Sequence, residues 1–204
     1  MAMESPSKAL VPAPSALTNL LKSQTPPSSH PAHLHHLALQ IQHNLQHQHG
    51  WTALRIHTHS PVNHTPLQRP LLSGLPPHRL YTHPDEQAEL LKELERRRKA
   101  ARKSGISADS ENVVVPEPER EWVLPTKLNE KWSLGRMAEV FDGVEIAPPS
   151  GENNVRDVSE EESGKQGNEN KWKQTKRIVL ATVDEDSTVV YYIVHDGVVK
   201  PRQN

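Results

Sequence analysis

The chain has 204 residues, enough for one domain or at most two, and only 34% of them are hydrophobic and 4% aromatic. It has no cysteine, which excludes disulfides and a cysteine nucleophile, and no stretch approaches the ~18 apolar residues of a membrane span, so no membrane insertion is expected. Between residues 104 and 170, acidic residues outnumber basic ones by fifteen to six, which argues against a freestanding nucleic-acid binder with a uniformly basic face.

The first part of the chain predicts a polar arm, one helix and one strand. Residues 1–28 are rich in Pro, Ser, Ala and Thr and predict a disordered arm. Apolar residues at spacings of three and four predict a helix over residues 30–49, with Gly50 at its C-terminal end. Alternating apolar residues predict a strand over residues 51–58, whereas the prolines and glycine between residues 60 and 79 argue against regular structure there.

The middle of the chain predicts two further elements and one insertion. Residues 79–82 suit a short extended piece, and residues 85–102 suit a helix that begins with two acidic residues and ends in a basic run. Residues 104–118 are polar and predict a flexible insertion. A short strand is predicted at residues 121–124, and Pro125 is expected to end it.

A short helix is expected to follow, with Ser133 as its N-cap and Trp132 and Met137 as a hydrophobic staple. Its predicted buried stripe consists of Leu134, Met137, Ala138 and Phe141. Residues 147–171 are polar and acidic and predict a second flexible insertion. The whole of residues 29–204 is therefore expected to form a single domain that these insertions interrupt.

The sharpest signal is a β-hairpin at the C-terminus, where two apolar runs flank the acidic residues Asp184, Glu185 and Asp186. Both runs, at residues 177–183 and 188–194, are apolar on both faces, as in strands buried on two sides. The second run is expected to be an edge strand that a partner completes, although a self-contained hairpin between two helix layers is the alternative. The predicted interface residues are Val189, Val190, Tyr191, Tyr192, Ile193 and Val194.

Histidine is the first candidate for chemistry. His43 and His47 lie one helical turn apart, a spacing that can chelate one metal, and His57 and His59 share one face of a strand. Neither pair has a carboxylate close by in sequence, so a polar helix face is the favoured interpretation for the first pair. A stand-alone histidine- or metal-dependent nuclease remains the alternative.

The residue types of a general acid–base set also occur, but nothing local fixes their geometry. They are Tyr81, His83, Tyr191, His195 and Lys200. We therefore predict no catalytic residue, no bound metal and no cofactor. The basic run at residues 96–103 suits phosphate contact, nuclear import or a solvated helix face.

Residues 177–204 resemble the fungal form of the smallest tRNA-splicing endonuclease subunit, the Sen complex member numbered fifteen. Supporting segments lie at residues 44–52, 69–77, 83–87, 121–125 and 131–133. The resemblance covers roughly residues 30–146 and 172–204. It implies an α/β (α+β) fold, with a small mixed sheet and flanking helices, similar to the C-terminal nuclease-like domain of archaeal tRNA-intron endonucleases.

The resemblance also implies a non-catalytic structural subunit that supports intron excision from precursor tRNA. The complex would hold two catalytic and two structural subunits, and this chain would pair with the catalytic subunit numbered thirty-four through its C-terminal strands. The glycine-rich YPGDP-type segment of the catalytic subunits is missing here, so no catalytic residue is carried over. An isolated chain would be able to form a homodimer, and a generic self-associating β-module is the remaining alternative.

Two finer expectations follow from the resemblance. In related endonucleases an acidic loop of the structural subunit docks into a basic pocket of a catalytic subunit, and residues 184–186 match it best by position. The acidic block at residues 157–162 competes for this role. The basic run at residues 96–103 favours the nucleus as the location, with the mitochondrial outer surface as the alternative.

Overall fold

The computed structural model describes residues 13–23, 30–103, 116–149 and 172–199. Its helices and strands are α1 (Ala16–Ser23), α2 (Ala32–His47), β1 (Thr52–His59), β2 (Pro66–Leu75), α3 (Pro84–Lys103), β3 (Glu121–Lys127), α4 (Leu134–Asp142), β4 (Arg177–Val183) and β5 (Val189–His195). Within these ranges, no helix has the length and apolar character needed to cross a membrane.

The five strands form one mixed sheet in the order β1-β2-β3-β4-β5. All neighbouring strands are antiparallel except β3 and β4, which run parallel and are joined by the segment that contains α4. The predicted α/β (α+β) class, a small mixed sheet with flanking helices, is confirmed.

Each face of the sheet has its own hydrophobic cluster, and a different helix contributes to each. On one face α2 packs against strands β2, β3 and β4. The buried members there are Leu37, Ile41, Leu45, Trp51, Leu72, Val123, Val179, Ala181 and Val183. On the other face α4 and the turn after it supply Val140, Phe141 and Val144, which join Leu71, Trp122, Leu124 and Ile178. The sheet is thus a middle layer between two helices.

Strand β2 was not expected, because prolines and a glycine fill residues 60–79. The structure tolerates them because Pro70 lies between the two stretches of β2 that pair with β1, at Pro66 and at Leu71–Leu75. A proline is acceptable where no ladder hydrogen bond is required of its nitrogen. The extended piece predicted at residues 79–82 joins no strand.

The prediction that Pro125 ends the third strand is wrong, since β3 continues to Lys127. Beyond Val123, β3 pairs with β4 alone, so Pro125 stands where the strand has one hydrogen-bonding neighbour. The Pro125 carbonyl oxygen accepts a hydrogen bond of 2.8 Å from the Arg69 guanidinium. A strand that has a hydrogen-bonding neighbour on only one side can therefore contain a proline.

The start of α4 is confirmed, because the Ser133 hydroxyl accepts a hydrogen bond from the backbone N–H of Arg136. The predicted stripe is only partly right: Leu134 is 92% exposed and Ala138 is also exposed. The residues that face the sheet are Met137, Val140, Phe141 and Val144, spaced by three and four. The apolar face of α4 is therefore the one whose three- and four-residue spacing continues to Val144, beyond the end of the helix.

The predicted arm at residues 1–28 includes the helix α1, whose start is capped by Ser15 accepting from the Thr18 N–H. Most of the two predicted insertions, at residues 104–118 and 147–171, lies outside the described residues. The division of the chain at residue 28 stays a prediction.

Candidate interaction surfaces at the two edges of the sheet

Strand β5 is one edge of the sheet, as predicted for the second arm of the hairpin. It pairs with β4 along its whole length with no irregularity, from Val183 opposite Val189 to Arg177 opposite His195. Its free edge is therefore straight and continuous, and it can accept another strand.

The predicted interface residues divide between the two faces of β5. Val189 and Tyr191 pack partly against the α2 cluster, and the Tyr191 hydroxyl donates a hydrogen bond to the Asn44 side chain. The exposed apolar residues are Val190 (43% exposed), Tyr192 (55%) and Ile193 (39%). Val194 is half-buried against the α4 cluster. Their role as an interface stays a prediction.

The two hairpin strands differ in burial, and β5 is the edge strand that was predicted. Every residue of β4 is buried except the half-buried Leu180. On β5, α2 reaches only the side that holds Val189 and Tyr191, so Val190 and Tyr192 on the other side remain in solvent. A surface tyrosine beside exposed valine and isoleucine is typical of an association site.

The acidic turn between β4 and β5 presents its carboxylates to solvent on a folded backbone. Asp184 closes the turn by donating its N–H to the Thr188 carbonyl and accepting from Ser187. The Asp186 carboxylate accepts from the Thr188 N–H, and this bond lowers the pKa of Asp186. Residues 184–186 therefore form an ordered anionic tip, while the competing block at residues 157–162 lies outside the described residues.

Strand β1, the opposite edge, is irregular. Its pairing with β2 shifts between Thr52 and Arg55 and again between His57 and His59, and Ala53 has a left-handed φ of 49°. Such bulges, together with a charged residue on the edge, prevent another strand from pairing. The β1 edge is therefore protected in a way that the β5 edge is not.

A cavity of about 320 Å³ lies beside the first turn of α3, at the end of β5. It gathers three of the predicted acid–base residues, since Tyr81, His83 and His195 all line it. The Tyr81 and His195 rings meet edge to face at 4.7 Å, and the His83 ring stacks on Trp172 at 5.3 Å. Burial and then the charge of Arg177 lower the pKa of His195.

The cations of this cavity are already paired with carboxylates. Arg177 donates to Glu121 and Glu119, and Lys173 lies 3.7 Å from Glu119. Burial alone would lower the pKa of Arg177, but its hydrogen bonds to Glu121 and Glu119 outweigh burial and raise it. Because these charges neutralise one another, the cavity holds a structural ion network rather than a set of groups free to bind a phosphate.

The other residues predicted as acid–base or metal-binding candidates do not lie together. Tyr191 contacts α2, far along β5 from His195, and Lys200 lies outside the described residues. The His43 and His47 rings approach to 4.4 Å on an exposed helix face. Among the described residues, no three histidine or carboxylate side chains converge as metal ligands.

No local sequence pattern indicates the contacts around His57. Its Nε2 lies 2.8 Å from the Ser73 hydroxyl oxygen, and its ring meets Trp122 edge to face at 4.9 Å. The Arg120 guanidinium also donates to the Ser73 hydroxyl, at 3.1 Å. These residues come from three strands or their ends, so only the sheet register brings them together.

Comparison with known proteins gives consistent matches. Residues 40–204 match the sequence model of the family described as Sen15 protein. The Neurospora crassa protein named "Probable tRNA-splicing endonuclease subunit tsp-1" is 43% identical over 175 residues, which are 84% of this chain and 67% of that protein. The Eremothecium gossypii protein named "tRNA-splicing endonuclease subunit SEN15" is 32% identical over 99 residues, which are 48% of this chain and 60% of that protein.

Proposed function

The chain belongs to the Sen15 family, and from this premise we propose that it is a non-catalytic structural subunit of a tRNA-splicing endonuclease. In this role it supports the excision of introns from precursor tRNA by holding a catalytic subunit, and it performs no chemistry itself. The exposed basic residues 96–99 near the end of α3 support a nuclear location for this work.

The observation that carries the proposal is the unprotected edge of β5. Val190, Tyr192 and Ile193 are exposed beside a continuous row of backbone donors and acceptors. A free edge of this composition aggregates unless a partner covers it. A strand from another protein would pair with this backbone, and its side chains would pack on Val190 and Tyr192.

We assign this edge to the catalytic subunit numbered thirty-four. The resemblance of residues 177–204 to the family pairs these two subunits through their C-terminal strands, and the exposed edge of β5 supplies a suitable surface. The anionic tip at residues 184–186 would dock into a basic pocket of another catalytic subunit. Without its partner, the chain would pair β5 with β5 of a second copy.

The non-catalytic assignment is supported by the cavity at the end of β5. Tyr81 and His195 contact each other through their rings, while Lys173 and Arg177 are held by Glu119 and Glu121. A catalytic site would leave a base and a cation free to meet a ribose hydroxyl and a phosphate. Among the described residues of this cavity, both cations are held by carboxylates, so neither is free to meet a phosphate.

The test uses the full chain, co-expressed with the other endonuclease subunits, and the variant Tyr192→Asp. We expect a buried aspartate at this position to abolish recovery of the catalytic partner in a pull-down, because an unpaired charge in an interface is strongly unfavourable. The matched control is His59→Asp, which puts the same side chain on the exposed end of the opposite edge strand and should leave recovery unchanged.

Two outcomes would contradict the proposal. Full recovery of the partner with Tyr192→Asp would remove β5 from the interface. Cleavage of precursor tRNA by the isolated wild-type chain would refute the non-catalytic role and favour the alternative of a stand-alone nuclease.

A further inference from the structure

The β1 side of the sheet carries a cluster of basic side chains, Arg55, His57 and Arg120. Resting on the subunit role proposed above, we propose that these three residues form a binding site for a phosphate group of RNA. The site lies on the face of the sheet that carries Trp122, at the edge opposite β5, so it leaves the protein interface free.

Sheet register places the three residues together. Arg55 pairs with Ser73, and Ser73 pairs with Trp122, so their side chains stand in one row on one face. The Arg120 guanidinium donates to the Ser73 hydroxyl at 3.1 Å and to the Ala53 carbonyl at 3.0 Å. The imidazole of His57 lies 2.8 Å from the same hydroxyl. Ser73 is fully buried and fixes the inner side of the cluster.

Arg120 differs from the other partly buried arginines of the fold. Arg69 pairs with Glu130, Arg79 pairs with Glu86 and Glu119, and Arg177 pairs with Glu121 and Glu119. Within residues 13–23, 30–103, 116–149 and 172–199, Arg120 contacts only neutral oxygen atoms. Its Nε is also buried without a hydrogen-bond partner.

The alternation of side chains explains why none of the carboxylates on neighbouring described residues reaches Arg120. Glu121 and Arg177 lie on the other face of the sheet, and Glu119 joins them there. A partly desolvated guanidinium without a counter-charge is unfavourable, and proteins keep such groups where a ligand supplies the missing charge. Because no described residue supplies a counter-charge to Arg120, we expect a ligand anion to supply it.

The electrostatics support this geometry. Burial and then the charge of Arg55 lower the pKa of Arg120. Burial and then the charges of Arg120 and Arg55 lower the pKa of His57 to about 4. Arg55 and Arg120 thus repel each other and hold His57 neutral, and an anion beside them would offset this repulsion.

The backbone of β1 argues for a small anion rather than a peptide strand. The bulge at Ala53, with its left-handed φ, turns the edge away from regular pairing and aims the Ala53 carbonyl at Arg120. Strained backbone that fixes a charged side chain is a feature of ligand sites. A planar guanidinium held in this way matches the oxygen atoms of a phosphate.

The experiment measures binding of a fluorescein-labelled precursor tRNA transcript to the full chain by fluorescence anisotropy at several salt concentrations. We expect Arg55→Gln and Arg120→Gln each to weaken binding about tenfold and to reduce the slope of log K against log salt by about one. Arg55 is exposed, so its variant tests the site even if Arg120→Gln perturbs folding. The matched control is Arg98→Gln, which removes one exposed arginine from the basic run of α3.

A second readout follows the ring protons of His57 by NMR. Adding the transcript should move these resonances and raise the pKa of His57 above about 4, because a bound phosphate stabilises the imidazolium. A phosphoserine peptide serves as the competing ligand class.

Four results would overturn the site: no saturable binding by the wild-type chain, unchanged binding by Arg55→Gln, an equal loss with Arg98→Gln, or a response of His57 to the phosphopeptide but not to the transcript. The two arginine variants should still recover the catalytic subunit in the pull-down. Failure of that recovery in the wild-type chain would refute the subunit role, whereas loss of the RNA response alone refutes only this site.

Discussion

Strands β1 and β5 both end the same sheet, yet they expose different chemistry to solvent. The β1 edge has two register shifts, a left-handed residue at Ala53 and the cation Arg55. The β5 edge is regular and exposes Val190 and Tyr192. Within the part of the chain that the structure describes, the β1 edge has features that prevent strand pairing and the β5 edge has none of them.

The same contrast appears in two consecutive residues. Arg120 and Glu121 project to opposite faces of the sheet, and only Glu121 meets an opposite charge, from Arg177. Toward β5, the buried charges of Glu121 and Arg177 neutralise each other, which leaves the exposed apolar residues of β5 for a protein partner. Toward β1, Arg120 meets no carboxylate among the described residues, which suits an anion. The two proposed sites, one for a protein strand and one for an RNA phosphate, therefore lie at opposite edges of the same sheet.

The largest expected effect on stability comes from breaking the buried ion pair between Glu121 and Arg177. Glu121 is 2% exposed and accepts hydrogen bonds from Arg177. We expect Glu121→Gln to lower the free energy of unfolding by about 3 kcal/mol, near the low end for a broken buried pair, because Glu119 still holds Arg177. Urea denaturation followed by circular dichroism measures this change.

The control for this prediction is the neighbouring residue. Arg120→Gln removes a charge that has no carboxylate among the described residues, so it should cost less than about 1 kcal/mol. Equal destabilisation by the two variants would contradict the contrast between the two sides of the sheet.

The sequence was informative where structure is local and uninformative where it depends on register. The hairpin at residues 177–194 and the capped helix after Ser133 follow from nearby residues, and both are present. Strand β2 could not be predicted, because Pro66 and Pro70 are acceptable only through the way this strand pairs with β1. The contact between Arg120 and Ser73 joins residues 47 positions apart, which no local pattern reveals.

A smaller effect should appear in the pH dependence of stability on the β1 side. The pKa of His57 falls from 6.5 to about 4 in the folded chain. Between these values the unfolded state binds more protons, so the stability present above pH 6.5 is lost as the pH falls toward 4. We expect this loss to be about 1–2 kcal/mol smaller in His57→Gln, once solvent screening at the edge is allowed for.

Denaturation midpoints at pH 7 and pH 4.5 measure this difference. The control variant is His59→Gln, which changes an exposed ring on the same strand and should keep the pH dependence of the wild-type chain. If His57→Gln and the wild-type chain lose the same stability on acidification, then His57 is not held neutral by its surroundings.

The smallest expected effect separates the two faces of β5. Tyr191 donates its hydroxyl to the Asn44 side chain of α2, whereas Tyr192, the next residue, is exposed on the other face. Tyr191→Phe should therefore reduce the free energy of unfolding by about 1 kcal/mol, the usual cost of one such hydrogen bond, and Tyr192→Phe should change it very little. Chemical denaturation of the two variants side by side measures the difference. Because phenylalanine keeps the ring, both variants should still recover the catalytic subunit, unlike Tyr192→Asp. If Tyr192→Phe were the more destabilising change, the outward face of β5 would already be packed within the single chain, and the open edge on which the interface depends would not exist.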